Sequence, residues 1–248
     1  MKEFYINSDG IKLHAKLDLP EGFEKGPICI LVHGFTGHME EEHIIGVQKA
    51  INRAGLAVLR VEMYGHGGSD GEFKNHTLYK WVTNALSVVE YVKSLDFVSD
   101  IYMCGHSQGG LLTMLVGGMF PNTIKAIIPL SPAWMIPEIC RMGSVLGVSF
   151  DPVNIPDTVG SPDWAEISGD YIRVAQTIHV EDEIKRFPGE VLLIHGDEDE
   201  AVPYEFSQKA LALYKNAKLI TIDGADHCYN NHLDEVTDAV YSFFEGVQ

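Results

Sequence analysis

Six stretches of the chain are apolar at nearly every position: residues 28–34 (ICILVHG), 56–62 (LAVLRVE), 100–105 (DIYMCG), 124–130 (IKAIIPL), 190–196 (EVLLIHG) and 217–224 (AKLITIDG). A strand with one wet face alternates apolar and polar residues. A run without alternation is covered on both faces, as in a parallel sheet. Between these runs the apolar positions recur at helical spacing, over roughly 39–54, 77–95, 108–120, 204–216 and 231–246. In the second of these, Trp81, Ala85, Val88, Val89 and Val92 share one face. Such alternation predicts an α/β fold: a mostly parallel, doubly wound sheet whose ligands bind beyond the carboxyl ends of its strands. Ahead of the first run, two strand-like segments flank Asp9-Gly10, a dipeptide favoured in tight hairpin turns.

From Ser131 to about Pro188 the rhythm stops, and Pro, Trp, Met and short apolar pieces replace it. A structureless loop of that length is improbable. The segment is expected to be an insertion at about 131–187, with short helices and a hairpin, capping the strand ends of a single domain. A length of 248 residues suits one core carrying such an insertion.

Composition narrows the function. The net charge of -17, from 18 basic and 35 acidic residues, argues against a nucleic-acid surface and against docking on an anionic membrane. No apolar run approaches the length of a membrane helix. MKEFYINSDG carries no signal-peptide pattern, and the four cysteines show no framework spacing, so a reduced, cytoplasmic protein is expected.

The candidate chemistry sits at strand ends. Gly105-His106-Ser107-Gln108-Gly109 follows one apolar run and opens a helical one, which is G-x-S-x-G in the strand–turn–helix setting of a nucleophile elbow. There a tight turn lifts the serine hydroxyl above the sheet at the positive end of a helix. By itself, a serine before a helix is more often an N-cap. A serine hydroxyl needs a base. Of eleven histidines, His227 follows the last apolar run and precedes the last helix, at the same edge as Ser107. His33, His66, His106 and His195 are glycine-flanked and are expected to pack or hydrogen-bond at turns, and His232 to lie on a helix surface. The base needs a carboxylate to fix its tautomer. The loop 195–200 offers Asp197, Glu198, Asp199 and Glu200, with Asp199 preferred and Asp197 second; Asp226, next to the base, would point away. The order Ser107, Asp199, His227 is the one found in α/β-hydrolases. Two oxyanion donors are expected: the backbone N–H of Gln108, and that of Phe35 in the loop His33-Gly34-Phe35-Thr36-Gly37. The glycine-rich stretch 64–71 has neither dinucleotide register nor a P-loop lysine, and no His/Asp cluster has metal-ligand spacing, so neither cofactor nor metal is expected.

HGFTG, YGHGGSDG, GHSQGG, IHGDEDEAVP and GADHCY together resemble the α/β-hydrolase esterases, and more closely the microbial cinnamoyl (feruloyl) esterases. The resemblance covers the whole chain, including YIRVAQ (171–176), which is similar to a lid segment of that subfamily. It supports Asp199 through the family's G-x-x-D pattern. It implies hydrolysis of small-molecule esters of ferulic, p-coumaric, caffeic or chlorogenic-type acids, with the lid forming the aromatic-acid pocket. Tyr171 would then hydrogen-bond a phenolic hydroxyl. Trp134 and Trp164 would either wall the acyl group or pack as lid core. Members of the family commonly form homodimers. The rival readings are a monoacylglycerol lipase or short-chain carboxylesterase, a peptidase or acyltransferase on the same triad, and, from another class, a binder with a dead site.

Overall fold

The computed structural model describes residues 1–161 and 163–246. Asp9 (φ 51°) and Gly10 (φ 85°) both take positive φ, the twist a two-residue hairpin needs. They fold β1 (Lys2–Ser8) antiparallel onto β2 (Ile11–Asp18). Strand and helix then alternate: β3 (Gly26–Val32), α1 (Glu42–Arg53), β4 (Ala57–Val61), α2 (Leu78–Lys93), β5 (Val98–His106), α3 (Gln108–Met119) and β6 (Ile124–Leu130). Next come α4 (Ile136–Arg141), a hairpin of β7 (Ser144–Val145) and β8 (Val148–Ser149), and a second hairpin of β9 (Thr158–Ser161) and β10 (Ala165–Ser168). After α5 (Gly169–Gln176) and α6 (Val180–Arg186), the chain closes with β11 (Glu190–Gly196), α7 (Glu205–Leu213), β12 (Ala217–Ile222) and α8 (Leu233–Gly246).

The sheet runs β1-β2-β4-β3-β5-β6-β11-β12, parallel from β4 onward. Its two faces account for the unbroken apolar runs. In β3, Ile28, Ile30 and Val32 enter the core shared with α2 and α3, whereas Cys29 and Leu31 enter the one shared with α1 and α8. In β11, Val191 and Leu193 face one way and Leu192 and Ile194 the other. Both registers are apolar because both are buried.

The segment between β6 and β11 carries two hairpins where one was expected, and three short helices. Arg141 Nη1 donates to the carbonyl of Ile178 (3.0 Å), and Gln176 Nε2 to those of Cys140 (3.1 Å) and Pro152 (3.0 Å), which ties α4, α5 and the loop between the hairpins together. α6 instead packs on α3 in the main helix layer. The glycine at 118 permits this, since a Cβ there would stand 2.4 Å from the Glu183 carbonyl oxygen. Among the described residues no helix is long and apolar enough to cross a membrane.

Candidate active site

Ser107 stands between β5 and α3 with φ 56° and ψ −117°, a conformation L-residues avoid. Backbone bonds hold it there: Ser107 N donates to the Leu130 carbonyl (2.9 Å), and the Ser107 carbonyl accepts from Ala133 N (3.0 Å). The surrounding glycines are dictated by contact. A Cβ on Gly105 would lie 2.3 Å from the Gly109 carbonyl oxygen, and one on Gly109 would lie 2.4 Å from that of His33. Strand and helix therefore approach as closely as backbone allows.

His227 lies in the turn after β12, and its Nδ1 is 2.7 Å from Asp199 Oδ2. Asp199 follows β11 and is buried. Its Oδ1 accepts from the backbone N–H groups of Ala201 (2.9 Å) and Val202 (2.8 Å), and its Oδ2 also accepts from His195 Nε2 (3.0 Å). Burial opposes ionisation, but the hydrogen bonds from His195 and His227 outweigh it and hold this carboxyl well below the usual range. Every lone pair of Asp199 is engaged. The rival acids are used elsewhere: Asp197 Oδ1 accepts from Gly224 N (2.7 Å), and Asp226 accepts from the backbone of Cys228 and Asn230 in its own turn.

Ser107 and His227 line one cavity of about 440 Å³, within the size range of small-molecule sites. Among the described residues the Ser107 hydroxyl makes no hydrogen bond within 3.5 Å. Contacts of this kind commonly tighten only around bound substrate. Phe35 and Gln108 flank the serine. Gln108 opens α3, so its N–H has no partner within the helix. The Phe35 N–H belongs to the peptide whose carbonyl, Gly34 O, is 2.7 Å from His33 Nδ1. Met63 N donates to His33 Nε2 (3.1 Å), which leaves the His33 proton on Nδ1 to hold that peptide plane. His66 Nε2, 2.6 Å from the Phe35 carbonyl, holds the next one.

The cavity walls include Met135, Ile136, Ile139, Val145, Leu146 and Val202, with Glu41, Glu200 and Cys228 also lining it. Tyr171 lines it but is buried, and its hydroxyl donates to Gln108 Oε1 (2.6 Å), bridging α5 to α3. Trp164, at the tip of the β9–β10 hairpin, lines the cavity and is 64% exposed. Trp134 does not join the site: it packs edge-on against Phe206 at 5.4 Å and donates to the Phe206 carbonyl (2.8 Å). A buried indole N–H usually finds a partner, and here the core supplies it.

His195, expected to pack or hydrogen-bond at its turn, does bond there, and its partner is Asp199: it is the second donor to that carboxylate, with its Nδ1 2.7 Å from Ser207 Oγ. The signal was its place four residues before Asp199 at a strand end. Nothing in one sequence separates it from the other glycine-flanked histidines.

Residues 24–150, just over half of the chain, match the family described as serine aminopeptidase, S33, and residues 163–246 match TAP-like protein. A structure of Est1E from Butyrivibrio proteoclasticus with ferulic acid bound is 58% identical, with a TM-score of 0.95 over 97% of each chain. Protein ABHD12B of Homo sapiens is 25% identical over 77% of this chain and 51% of its own, so the chain spans about half the length of that relative. The bifunctional esterase/perhydrolase DCH of Acinetobacter calcoaceticus is 24% identical over 90% of this chain and 92% of its own. The chain belongs to the α/β-hydrolase family.

Proposed function

We propose that this protein hydrolyses esters of hydroxycinnamic acids such as ferulic acid, with Ser107 as nucleophile, His227 as general base and Asp199 orienting the base. The observation that carries the reading is the 2.7 Å bond between His227 Nδ1 and Asp199 Oδ2, at the wall of the cavity that also holds the strained Ser107. Asp199 fixes the His227 proton on Nδ1, so Nε2 is free to take the Ser107 proton. The serine attacks the ester carbonyl, and the N–H groups of Phe35 and Gln108 receive the developing oxyanion. His227 then protonates the departing alcohol, and a water activated by the same ring releases the acid from the acyl-enzyme.

The segment from α4 through α5 acts as a cap over the acyl pocket. Its apolar walls suit an aromatic side chain, against whose ring the cavity-lining Trp164 would lie. The Tyr171 hydroxyl already donates to Gln108, which leaves only a lone pair for a phenol. The relative solved with ferulic acid, at 58% identity, supports this acyl class.

The test is hydrolysis of methyl ferulate against a matched aliphatic methyl ester. The wild-type protein is expected to favour the ferulate, and Ser107→Ala to lose roughly 10⁴-fold or more in kcat while keeping its fold. Undiminished turnover in that variant would remove Ser107 from the mechanism. Preference for the aliphatic ester would favour a short-chain carboxylesterase.

A further inference from the structure

The geometry points to His106, the residue before the nucleophile, as a positioning residue that ties the backbone of His227 to the nucleophile elbow, with His43 fixing its tautomer. The inference rests on the triad reading above.

His227 lies outside both β12 and α8, so no ladder or helix fixes its main chain. Its carbonyl oxygen is 2.7 Å from His106 Nε2. A carbonyl only accepts, so Nε2 carries the proton. His106 is buried, and desolvation together with the neighbouring His43 and His227 keeps the ring neutral. Its Nδ1 is then an acceptor. His43 Nε2, from the first turn of α1, stands 3.2 Å away and must be the donor. Burial keeps His43 neutral as well, with its pKa lowered to about 4.

The result is a directional chain, from His43 Nε2–H to His106 Nδ1 and from His106 Nε2–H to the His227 carbonyl. The His106 and His227 rings are 4.7 Å apart between centroids. Asp199 holds the Nδ1 edge of the His227 ring, and His106 holds the backbone from which that ring hangs. Because His106 is covalently next to Ser107, the bond sets the spacing between nucleophile and base. A displacement of the order of 1 Å at such a position costs about 10²-fold in rate.

The test compares His106→Leu, which removes the donor, with His106→Gln, whose amide nitrogen reaches about as far as Nε2. Ser107→Ala and His227→Ala are assayed in parallel. His106→Leu is expected to lower kcat roughly 10- to 100-fold with KM changed less than about threefold, and His106→Gln to recover most of the loss. His43→Leu should lower kcat less, and add little when combined with His106→Leu, because both act through one bond. A kcat within about twofold of wild type in folded His106→Leu, or a Gln variant as slow as the Leu variant, overturns the inference. If His106→Leu does not fold, His43→Leu and His106→Gln decide. The inference stands if His43→Leu is slower at unchanged KM while His106→Gln stays near wild type, and falls otherwise. If Ser107→Ala or His227→Ala retains activity, the triad reading itself has failed, which is a distinct result.

Discussion

Asp199 Oδ2 accepts from two imidazoles at once, His227 Nδ1 at 2.7 Å and His195 Nε2 at 3.0 Å, and that double acceptance requires a full carboxylate. In Asp199→Asn an amide N–H would confront one of the two ring donors, and the His227 proton would move to Nε2, the atom that the proposed mechanism leaves free as base. A kcat loss of about 10³- to 10⁴-fold is expected, with unchanged binding of reversible ligands in the cavity. Activity within tenfold of wild type would show that Asp199 does not set the tautomer. At this scale the sequence was only partly legible. Strand ends place Ser107, Asp199 and His227 at one edge, but Asp197 and Asp226 are equally acidic and equally near. What separates them is where each turn sends its side chain, and that depends on bonds to Gly224 N and Asn230 N which a single chain does not disclose. The same blindness hid His195, and left Trp134 and Trp164 indistinguishable until one proved buried and the other exposed.

The elbow works only because β5 and α3 meet at backbone distance. A Cβ at position 109 would stand 2.4 Å from the His33 carbonyl oxygen and 2.6 Å from that of Val32, and neither backbone atom can rotate aside. Gly109→Ala is therefore expected to destabilise the fold by about 1–3 kcal/mol and to push on the peptides just ahead of the one that carries the proposed Phe35 donor. Gly246→Ala, with nothing within 4 Å of the added carbon, is the matched control and should leave the urea midpoint unchanged. Equal midpoints for the two variants would refute the crowding argument. The regular elements were legible because burial on both sheet faces leaves an unmistakable apolar run. The segment between β6 and β11 was not. β7 and β8 have two residues each, too short for periodicity, and their hairpin turns on Leu146 (φ 54°) and Gly147 (φ 73°). α6 shows only Val180 and Ile184 buried, and its place against α3 depends on Gly118, more than sixty residues upstream.

Taken as a whole, the molecule stores an unusual number of neutral imidazoles in its interior. Desolvation is the leading cause in each case: it lowers His33 and His76 to about 3 and His43 to about 4, and holds His106 well below the ordinary value. In the unfolded chain each would bind a proton near pH 6.5. Below that pH the unfolded state holds more protons than the folded one, so stability falls as pH drops, by about 1.4 kcal/mol per unit for each such histidine until its folded pKa is reached. At pH 5 that is about 2 kcal/mol for each of His33, His43 and His76, against a total of the order of 5–15 kcal/mol for a domain. Asp199, held low, adds to the loss only at still lower pH, as it falls below the unfolded carboxylate value. His14 runs the other way. Burial lowers it, but its hydrogen bonds to the Glu62 and Glu3 carboxylates raise it on balance, so its contribution is complete below pH 6.5 and fades as pH rises through its folded value. Burial lowers His66 as well, so five histidines oppose one, and unfolding free energy should drop steeply between pH 6.5 and 4.5. His76 offers the cleanest test, being fully buried among Phe35, Phe73, Trp81 and Tyr171 and outside the proposed triad. In His76→Gln the slope of unfolding free energy against pH over that window should flatten by about 1.4 kcal/mol per unit, whatever the variant's stability at pH 7. An unaltered slope would mean that the ring takes up its proton without unfolding, and that acid sensitivity resides in the carboxylates instead.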